Sequence, residues 1–342
     1  MMKALCSVAI VLMIATGVVF GQGNMGYHVV KKAMIGGDGF WDYLYADSPA
    51  RQLYVSHGDH VVVVNMDELK VVGEIPHTDG VHGVAVAPEF NHGFTSNGRS
   101  STVTIFDLKS LKVIKEVPVT GKNPDAILYD PFSKQLFTFN GRSADATVLD
   151  PSTGDTLATI ALGGKPEFGV TDLQGHVYVN IEDKSEIACI DAKGHRVVAR
   201  WSIAPGESPS GLAMDVANHR LFSVCENGMM VVSDPESHKV VAKEPIGEGP
   251  DACKFDPETH MVFSSNGEGT ITVIHEETPD KFVVVENAKT EPRARTMEID
   301  TKTHALFTVT AQFGEAPQPT AEHPRPRPPM VPNTFVLLEL EK

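Results

Sequence analysis

The chain has 342 residues, of which 42% are hydrophobic, and this much apolar material excludes wholesale disorder. Its 29 Lys and Arg residues against 44 Asp and Glu residues give a formal net charge of −15. Because binding to a phosphate backbone needs clustered positive charge, we expect no nucleic-acid partner. The 29 glycines and 23 prolines indicate a chain with many turns rather than a helical protein.

The first 21 residues have the layout of a cleavable secretory signal. Lys3 provides the positive start, an uncharged run follows from Ala4 to Phe20, and Gln22 would begin the mature chain. The apolar run is short for a membrane span, and an uncleaved N-terminal anchor is the alternative. We therefore expect a periplasmic or secreted protein, with residues 22–342 as one mature domain and no integral membrane segment after cleavage.

One unit of four short strands recurs along the mature chain with a period of about 42 residues. The seven units begin at Asp42, His82, Asp125, Glu167, Ser210, Asp251 and Arg295. The spacings between these starts are 40, 43, 42, 43, 41 and 44 residues. The strands are rich in Val, Ile, Thr and Phe and are separated by turn residues. This pattern predicts an all-β protein, a seven-bladed β-propeller with four antiparallel strands per blade.

The N-terminal strand is predicted to close the ring. The last unit supplies only three strands, within Ala294–Ile299, His304–Thr310 and Asn333–Leu340. The segment Tyr27–Gly36 matches the outer strand Leu111–Gly121 of another unit in position and pattern, so it would provide the fourth strand. Pairing both chain ends in one sheet removes an exposed edge. We expect a ring of this kind to be a monomer.

A Pro-rich insertion breaks the period inside the last unit. Residues 311–332 contain seven prolines in 22 positions, which favours an extended, semi-rigid segment. Because the insertion joins the second and third strands, we interpret it as a lid or rim over the channel mouth. A passive packed strap and a docking segment for another protein are the alternatives.

The segment His275–Glu277 is a smaller irregularity, and it stands where other units place a closing aspartate. Its spacing does not suit a zinc pair on a helix. We therefore expect it to be a solvent-exposed turn.

Three short sequence motifs stand out in the repeat: LYVSHG at Leu53–Gly58, VYVN at Val177–Asn180 and DPESHKVV at Asp234–Val241. They resemble the YVTN-type repeats of secreted, YncE-like seven-bladed propellers, and the resemblance covers residues 27–342. It implies the same fold and a binding or surface role. Related propellers include lactonases and lyases, so the resemblance leaves the activity open.

Two rings of polar residues are expected at one face of the disc, where the inner strands begin and the second strands end. The first ring holds the seven unit starts, six of which are ionisable. The second ring would hold His57, Asn97, Asn140, Ile181, Cys225, Asn266 and Thr310. Arg99 and Arg142 follow two of the asparagines in Asn-Gly-Arg turns. Polar groups that merely cap strand ends in a wet channel are the alternative interpretation.

The carboxylates of the first ring suggest a cation at the mouth, because four of them in a narrow opening would repel one another. Asp125, Glu167 and Asp251, with Asn140 close by, are the candidate ligands of a Ca²⁺ or Mg²⁺ ion. Arg295 argues partly against a metal, since it could pair with one carboxylate. No cofactor is certain from the sequence.

Catalysis is the alternative use of the same mouth. His82 among acidic neighbours could be a general base, and Arg295 or Arg99 could stabilise an oxyanion, as in a lactonase or lyase. The sequence contains no nucleophile elbow and no His-Glu-x-x-His segment to support this. Trp41, directly before Asp42, could stack on a ligand or pack between blades. The preferred hypothesis is a binding protein that takes a small molecule, a cation or a partner protein.

Overall fold

A computed structural model describes residues 26–318 and 328–342. The predicted secretory signal, residues 1–21, lies outside the described residues. The described part consists of β-strands and loops, with short 3₁₀ turns at Pro88–Phe90 and Glu182–Lys184. No helix within it is long and apolar enough to cross a membrane.

The strands form seven four-stranded antiparallel sheets, which confirms the predicted seven-bladed β-propeller. Blade 1 contains β2 (Leu44–Asp47), β3 (Gln52–His57), β4 (His60–Asn65) and β5 (Lys70–Ile75). Blade 2 contains β6 (Val81–Ala87), β7 (His92–Asn97), β8 (Thr102–Asp107) and β9 (Val113–Pro118). Blade 3 contains β10 (Pro124–Asp130), β11 (Gln135–Asn140), β12 (Asp145–Leu149) and β13 (Thr156–Ala161).

The remaining blades follow the same order, from the innermost strand outward. Blade 4 contains β14 (Pro166–Thr171), β15 (His176–Ile181), β16 (Glu186–Asp191) and β17 (Arg196–Ser202). Blade 5 contains β18 (Pro209–Asp215), β19 (Arg220–Cys225), β20 (Met229–Asp234) and β21 (Lys239–Pro245). Blade 6 contains β22 (Pro250–Asp256), β23 (Met261–Asn266), β24 (Thr270–Thr278) and β25 (Lys281–Lys289). Blade 7 combines β26 (Met297–Ile299), β27 (Leu306–Thr310) and β28 (Val336–Glu341) with β1 (His28–Met34).

The two chain ends meet in blade 7, as predicted. Strand β1 pairs antiparallel with β28, from His28 opposite Glu341 to Met34 opposite Val336. The edge that β28 would otherwise expose is thereby covered by the chain's own N-terminal strand.

The hydrophobic core lies between the blades rather than inside one sheet. The second strand β11 is buried on both faces, because a blade is packed between two neighbours. Phe137 and Phe139 of β11 share one buried cluster with Val177 and Val179 of the next blade. The outer strands, such as β13, are exposed at most positions. This packing fixes the angle of each blade and so sets the position of its innermost strand around the channel.

Candidate functional site

Most ring residues of the channel mouth are positioned by a β-bulge at the start of the inner strand. In blade 3 the pairing register shifts between Pro124 and Ile127, which releases Asp125 from the ladder. Equivalent bulges occur in blades 2, 4, 5 and 6. A bulge bends its strand and re-aims the side chains. Four of the five bulged strands begin with proline, which has no N–H to leave unpaired there.

Buried hydroxyl groups on the second strands fix these bulges to the neighbouring blade. Ser96 Oγ accepts a hydrogen bond from Gly83 N at 3.0 Å and donates one to the carbonyl of Asp125 in the next blade. Ser265 makes equivalent contacts between blades 6 and 7. Sequence analysis missed these positioning serines, although the Ser-Asn pair that both units share was a readable signal.

One side of the mouth is a cluster of two aspartates and a histidine. His82 Nδ1 lies 2.5 Å from Asp42 Oδ2 and 3.5 Å from Asp125 Oδ1. Tyr43, which the sequence analysis did not single out, lies beside Asp125, and its hydroxyl partly offsets the rise in the pKa of that carboxyl. The Tyr43 ring packs on Phe168 at 5.3 Å between centroids and also lines a second cavity of about 280 Å³ inside the channel. Tyr43 therefore lies between the mouth and the channel interior.

Basic residues hold the carboxylates on the other side. Arg295 Nη1 lies 2.9 Å from Asp251 Oδ1, and Arg295 Nη2 lies 3.9 Å from Asp42 Oδ1. Lys165, another residue missed from the sequence, has its Nζ 2.6 Å from Glu167 Oε1 and also contacts Glu182. The remaining unit start, Ser210, is bonded through its hydroxyl to backbone carbonyls of blade 6.

The ring carboxylates ionise with difficulty. Burial, followed by the charge of Asp42, raises the pKa of Asp125 to about 6. Burial raises the pKa of Asp251 to about 7 even though Arg295 opposes the shift. Burial and the charge of Asp125 raise the pKa of Glu167 to about 8. Part of the ring is therefore protonated near neutral pH, because burial and mutual repulsion oppose full ionisation of its carboxylates.

His82 is a poor general base in this setting. Burial lowers its pKa, but the hydrogen bond to Asp42 and the charges of Asp125, Asp42 and Glu167 outweigh burial and raise the pKa to about 9. The imidazole is therefore protonated at neutral pH and has no free lone pair for proton abstraction. The geometry assigns His82 the role of a buried cation between two aspartates.

The second-strand ends lie beside the inner-strand starts, as predicted, but their side chains are buried and do not line the mouth. All seven second-strand ends are buried, with at most 1% of each residue exposed. Asn97 Nδ2 donates to Thr104 Oγ1 at 2.9 Å, Asn140 Nδ2 to Thr147 Oγ1 at 3.0 Å and Asn266 Nδ2 to Thr272 Oγ1 at 3.0 Å. These amides cross-link the second and third strands of their own blades, because a buried amide needs partners.

His57 and Trp41 pack against blade 7 rather than into the open mouth. His57 stacks on Phe335 at 4.4 Å between centroids, and its Nε2 lies 3.2 Å from the carbonyl of Gly36. Burial lowers the pKa of His57. Trp41 is 9% exposed and lies 5.0 Å from the Phe335 ring, so the packing interpretation describes it well.

Arg99 and Arg142 lie on the outer rim. The Arg99 side chain is 65% exposed and its Nη1 binds Asp79 Oδ1 at 2.6 Å. Arg142 is exposed at its turn. In the part of the chain that the structure describes, neither arginine pairs with a carboxylate of the first ring. Arg99, one of the two arginines predicted to stabilise an oxyanion, pairs with Asp79 instead.

The base of the Pro-rich insertion borders the mouth. Phe313 and Met330 form an isolated β-bridge, and Gly314 N donates to Pro329 O at 2.9 Å. Phe313 and Met330 line a cavity of about 620 Å³ together with Trp41 and Arg295. The described part of the insertion is thus a rim beside the mouth, and its centre, residues 319–327, lies outside the described residues.

The predicted metal ligands are divided among different partners. Within residues 26–318 and 328–342, the ring members that place three His, Asp or Glu ligand atoms within 4.8 Å of one another are Asp42, His82 and Asp125. Glu167 and Asp251 are held by Lys165 and Arg295 instead. The structure therefore does not bring Asp125, Glu167 and Asp251 together as one ligand set.

Fold and site together define a seven-bladed β-propeller with a buried, charged channel mouth. No protein-family model and no curated protein sequence matches the chain. Similar solved structures include U3-55K, with a TM-score of 0.73 and 9% identity over 91% of this chain and 98% of that chain. They also include the RRP9 WD40 repeats, with a TM-score of 0.73 and 9% identity over 92% and 97%. Hydrazine synthase of Kuenenia stuttgartiensis has a TM-score of 0.68 and 16% identity over 82% and 94%. At such identities the likeness establishes the fold alone.

Proposed function

We propose that this protein is an exported binding protein that holds a positively charged small molecule at the mouth of its propeller channel. The observation that carries the proposal is the half-buried carboxylate ring formed by Asp42, Asp125, Glu167 and Asp251. Three of its members have pKa values raised to about 6, 8 and 7, because burial and mutual repulsion oppose their ionisation. A bound cation would relieve both costs.

When its four carboxylates are ionised, the ring carries more negative than positive charge. Arg295, Lys165 and protonated His82 face the four ring carboxylates, and Lys165 is shared with Glu182. The carboxylates therefore outnumber the cations around the opening. This balance favours a cationic ligand over an anionic one.

The surroundings of the ring suit a ligand with a flat apolar part. Phe40 is 45% exposed, and its ring lies 6.3 Å from that of His82. Trp41 and Phe313 supply further aromatic surface in the adjoining cavity of about 620 Å³. That volume is typical of small-molecule sites, and an organic cation gains from contact with aromatic faces.

Titration calorimetry with benzamidine near pH 8 tests this proposal, because its planar amidinium pairs with carboxylates and its ring is apolar. We expect binding by the wild type and at least about ten-fold weaker binding by Asp42→Asn. Asp79→Asn, which removes an exposed rim carboxylate of similar chemistry, is the matched control and should bind as the wild type does. Equal affinity of all three proteins would overturn the proposal. Ca²⁺ and Mg²⁺ belong in the same titrations as the simplest cations.

We further propose export and YncE-like membership from the sequence. Support comes from the signal-like residues 1–21 and from the repeat phrases at Leu53–Gly58 and Val177–Asn180, which occupy β3 and β15 of the propeller. Expression of the full chain in a bacterial host tests export. N-terminal sequencing of periplasmic material should begin near Gln22, and retention of the intact chain in the cytoplasm would contradict the proposal.

A further inference from the structure

A second charged cluster lies at the opposite end of the channel, between blades 5 and 6. Asp215 is the last residue of β18, His260 lies in the turn between β22 and β23, and Glu276 lies on β24. Their carboxylate and imidazole atoms all lie within 4.8 Å of one another. None of the three residues belongs to the mouth, because inner strands begin at the mouth and end at the opposite face.

Glu276 is the unusual member of this cluster. The segment His275–Glu277 was expected to be an exposed turn, but β24 continues to Thr278 and pairs with β25 beyond it. The expectation is therefore wrong, and Glu276 is only 4% exposed. Both of its carboxylate oxygens are buried, without a hydrogen-bond donor among the described residues. Burying a carboxylate in this way is costly unless something compensates it.

The next blade junction shows how the repeat normally satisfies this position. Asp256 ends β22, and its Oδ2 lies 2.8 Å from Nδ1 of His304 in the turn of blade 7. Asp215 and His260 occupy the corresponding places one blade earlier, but they form no direct ion pair within the described chain. Glu276 approaches both of them instead. The junction of blades 5 and 6 thus brings three ligand-type groups together where its neighbour has one aspartate–histidine contact.

Asp215 is held by the turn that follows it, as Asp256 and Asp300 are at the ends of other inner strands. Its Oδ1 accepts hydrogen bonds from Ala217 N at 2.9 Å and Asn218 N at 3.2 Å, and its Oδ2 accepts one from Asn218 Nδ2 at 2.6 Å. Such outer contacts orient a metal-binding carboxylate. The nearby cation Arg220 is engaged by the carbonyl of Pro279 and by Asp280, each at 2.7 Å. Among the described residues, Arg220 therefore forms its ion pairs with Asp234 and Asp280 and none with Asp215 or Glu276.

We propose that Asp215, His260 and Glu276 form a divalent transition-metal site, with Zn²⁺ as the ion of choice. One imidazole nitrogen and two carboxylate oxygens make a mixed donor set that suits Zn²⁺ better than Ca²⁺ or Mg²⁺. His260 is exposed, so water can complete the coordination from the solvent side. The site joins two blades and is independent of the mouth and of the function proposed for it.

Equilibrium dialysis of metal-free full-length protein against Zn²⁺, with metal analysis, tests this site. Wild type should retain about one equivalent more Zn²⁺ than Glu276→Gln and His260→Asn, and its affinity should be at least about ten-fold higher. Asparagine suits position 260 because His260 has a left-handed backbone with φ 55°. His304→Gln is the matched control at the next junction and should bind Zn²⁺ as the wild type does.

Cobalt substitution gives a second readout that separates a built site from scattered surface histidines. Co²⁺ at the site should give visible d–d absorption in the wild type and none in Glu276→Gln. Two results would overturn the proposal. One is equal Zn²⁺ retention by wild type and Glu276→Gln. The other is an absence of retained Zn²⁺ in a wild type that Glu276→Gln stabilises, because a proton shared between Asp215 and Glu276 then occupies the gap.

Discussion

Asp125, Glu167 and Asp251 are ionisable groups placed where ionisation is unfavourable, and this is what distinguishes the mouth from an ordinary wet channel. Each lies beside at least one basic residue, yet each pKa is raised. His82 and Arg295 are held in the same ring by the opposite charges. Ionising these carboxylates therefore has an unfavourable electrostatic free energy, and a bound cationic ligand would reduce this cost.

This cost predicts a pH dependence of stability. A carboxylate with a raised pKa destabilises the folded state as pH rises through that pKa, and His82 loses its stabilising proton near pH 9. The free energy of unfolding should therefore fall from about pH 4, where the carboxyl groups of the unfolded chain begin to ionise, to about pH 9. Glu167→Gln should reduce that fall by on the order of 2 kcal/mol, while Lys165 keeps Glu182 as its partner. Urea unfolding across this pH range measures the effect, and Asp79→Asn should change nothing. A wild-type curve that stays flat would contradict the pKa values.

Sequence analysis could predict the first ring because its members stand at a fixed place in a clear repeat. It predicted the wrong direction for the side chains of Asn97 and Asn140, because the sequence at a strand end does not show whether an amide faces a channel or the next strand. A threonine seven residues after each of them marks the correct interpretation, because the amide binds that hydroxyl. Tyr43 and Lys165 were missed because nothing in the periodic pattern separates them from core or turn residues.

At the scale of the strands, the bulges at the start of the inner strands place the ring residues at the channel mouth. Sequence analysis predicted the strands themselves but not the bulges, because a bulge at the start of a strand leaves too few residues before it to show the change in alternation. The serine contacts that hold the bulges depend on the distance between blades, which a linear pattern does not contain. The buried run of β24 through Glu276 escaped prediction for the same reason.

Ser96 offers a test of this device. Ser96→Ala removes one hydrogen bond within blade 2 and one to the backbone of Asp125, and it leaves buried partners unsatisfied. We expect a loss of about 1–3 kcal/mol of unfolding free energy and weaker benzamidine binding, because Asp125 loses its support. Ser100→Ala, in the exposed turn that follows β7, is the control for losing a hydroxyl. An equal, small effect of both substitutions would remove the positioning role from Ser96.

At the scale of the whole molecule, two sets of contacts close the ring of seven blades. Strand β1 completes blade 7, and on the face opposite the mouth Arg51 Nη1 of blade 1 lies 2.5 Å from Asp300 Oδ2 of blade 7. The side chain of Asp300 is fully buried. Sequence analysis predicted the number of blades and the closing strand from the period. It could not predict the Arg51–Asp300 contact, which depends on the curvature of the complete ring.

Removing the ion pair should weaken closure. Arg51→Met leaves Asp300 buried without its cation, so we expect a loss of about 3 kcal/mol of unfolding free energy. Asp67→Asn removes the exposed partner of the same arginine and should cost less than about 1 kcal/mol. Guanidinium unfolding of the two variants measures the difference. If the two costs are alike, Asp300 contributes no more to closure than a surface pair.

If the mouth binds a positively charged small molecule, it should prefer a cationic ligand to neutral and anionic ligands of the same shape. Dissociation constants of benzamidine, neutral benzamide and anionic benzoate can be compared by calorimetry on the wild-type protein near pH 8, which is above the raised pKa values of Asp125 and Asp251. The carboxylate ring predicts that benzamidine binds at least about ten-fold more tightly than either analogue, with the preference lost in Asp42→Asn. Equal affinity for the three compounds, or tighter binding of benzoate, would contradict it.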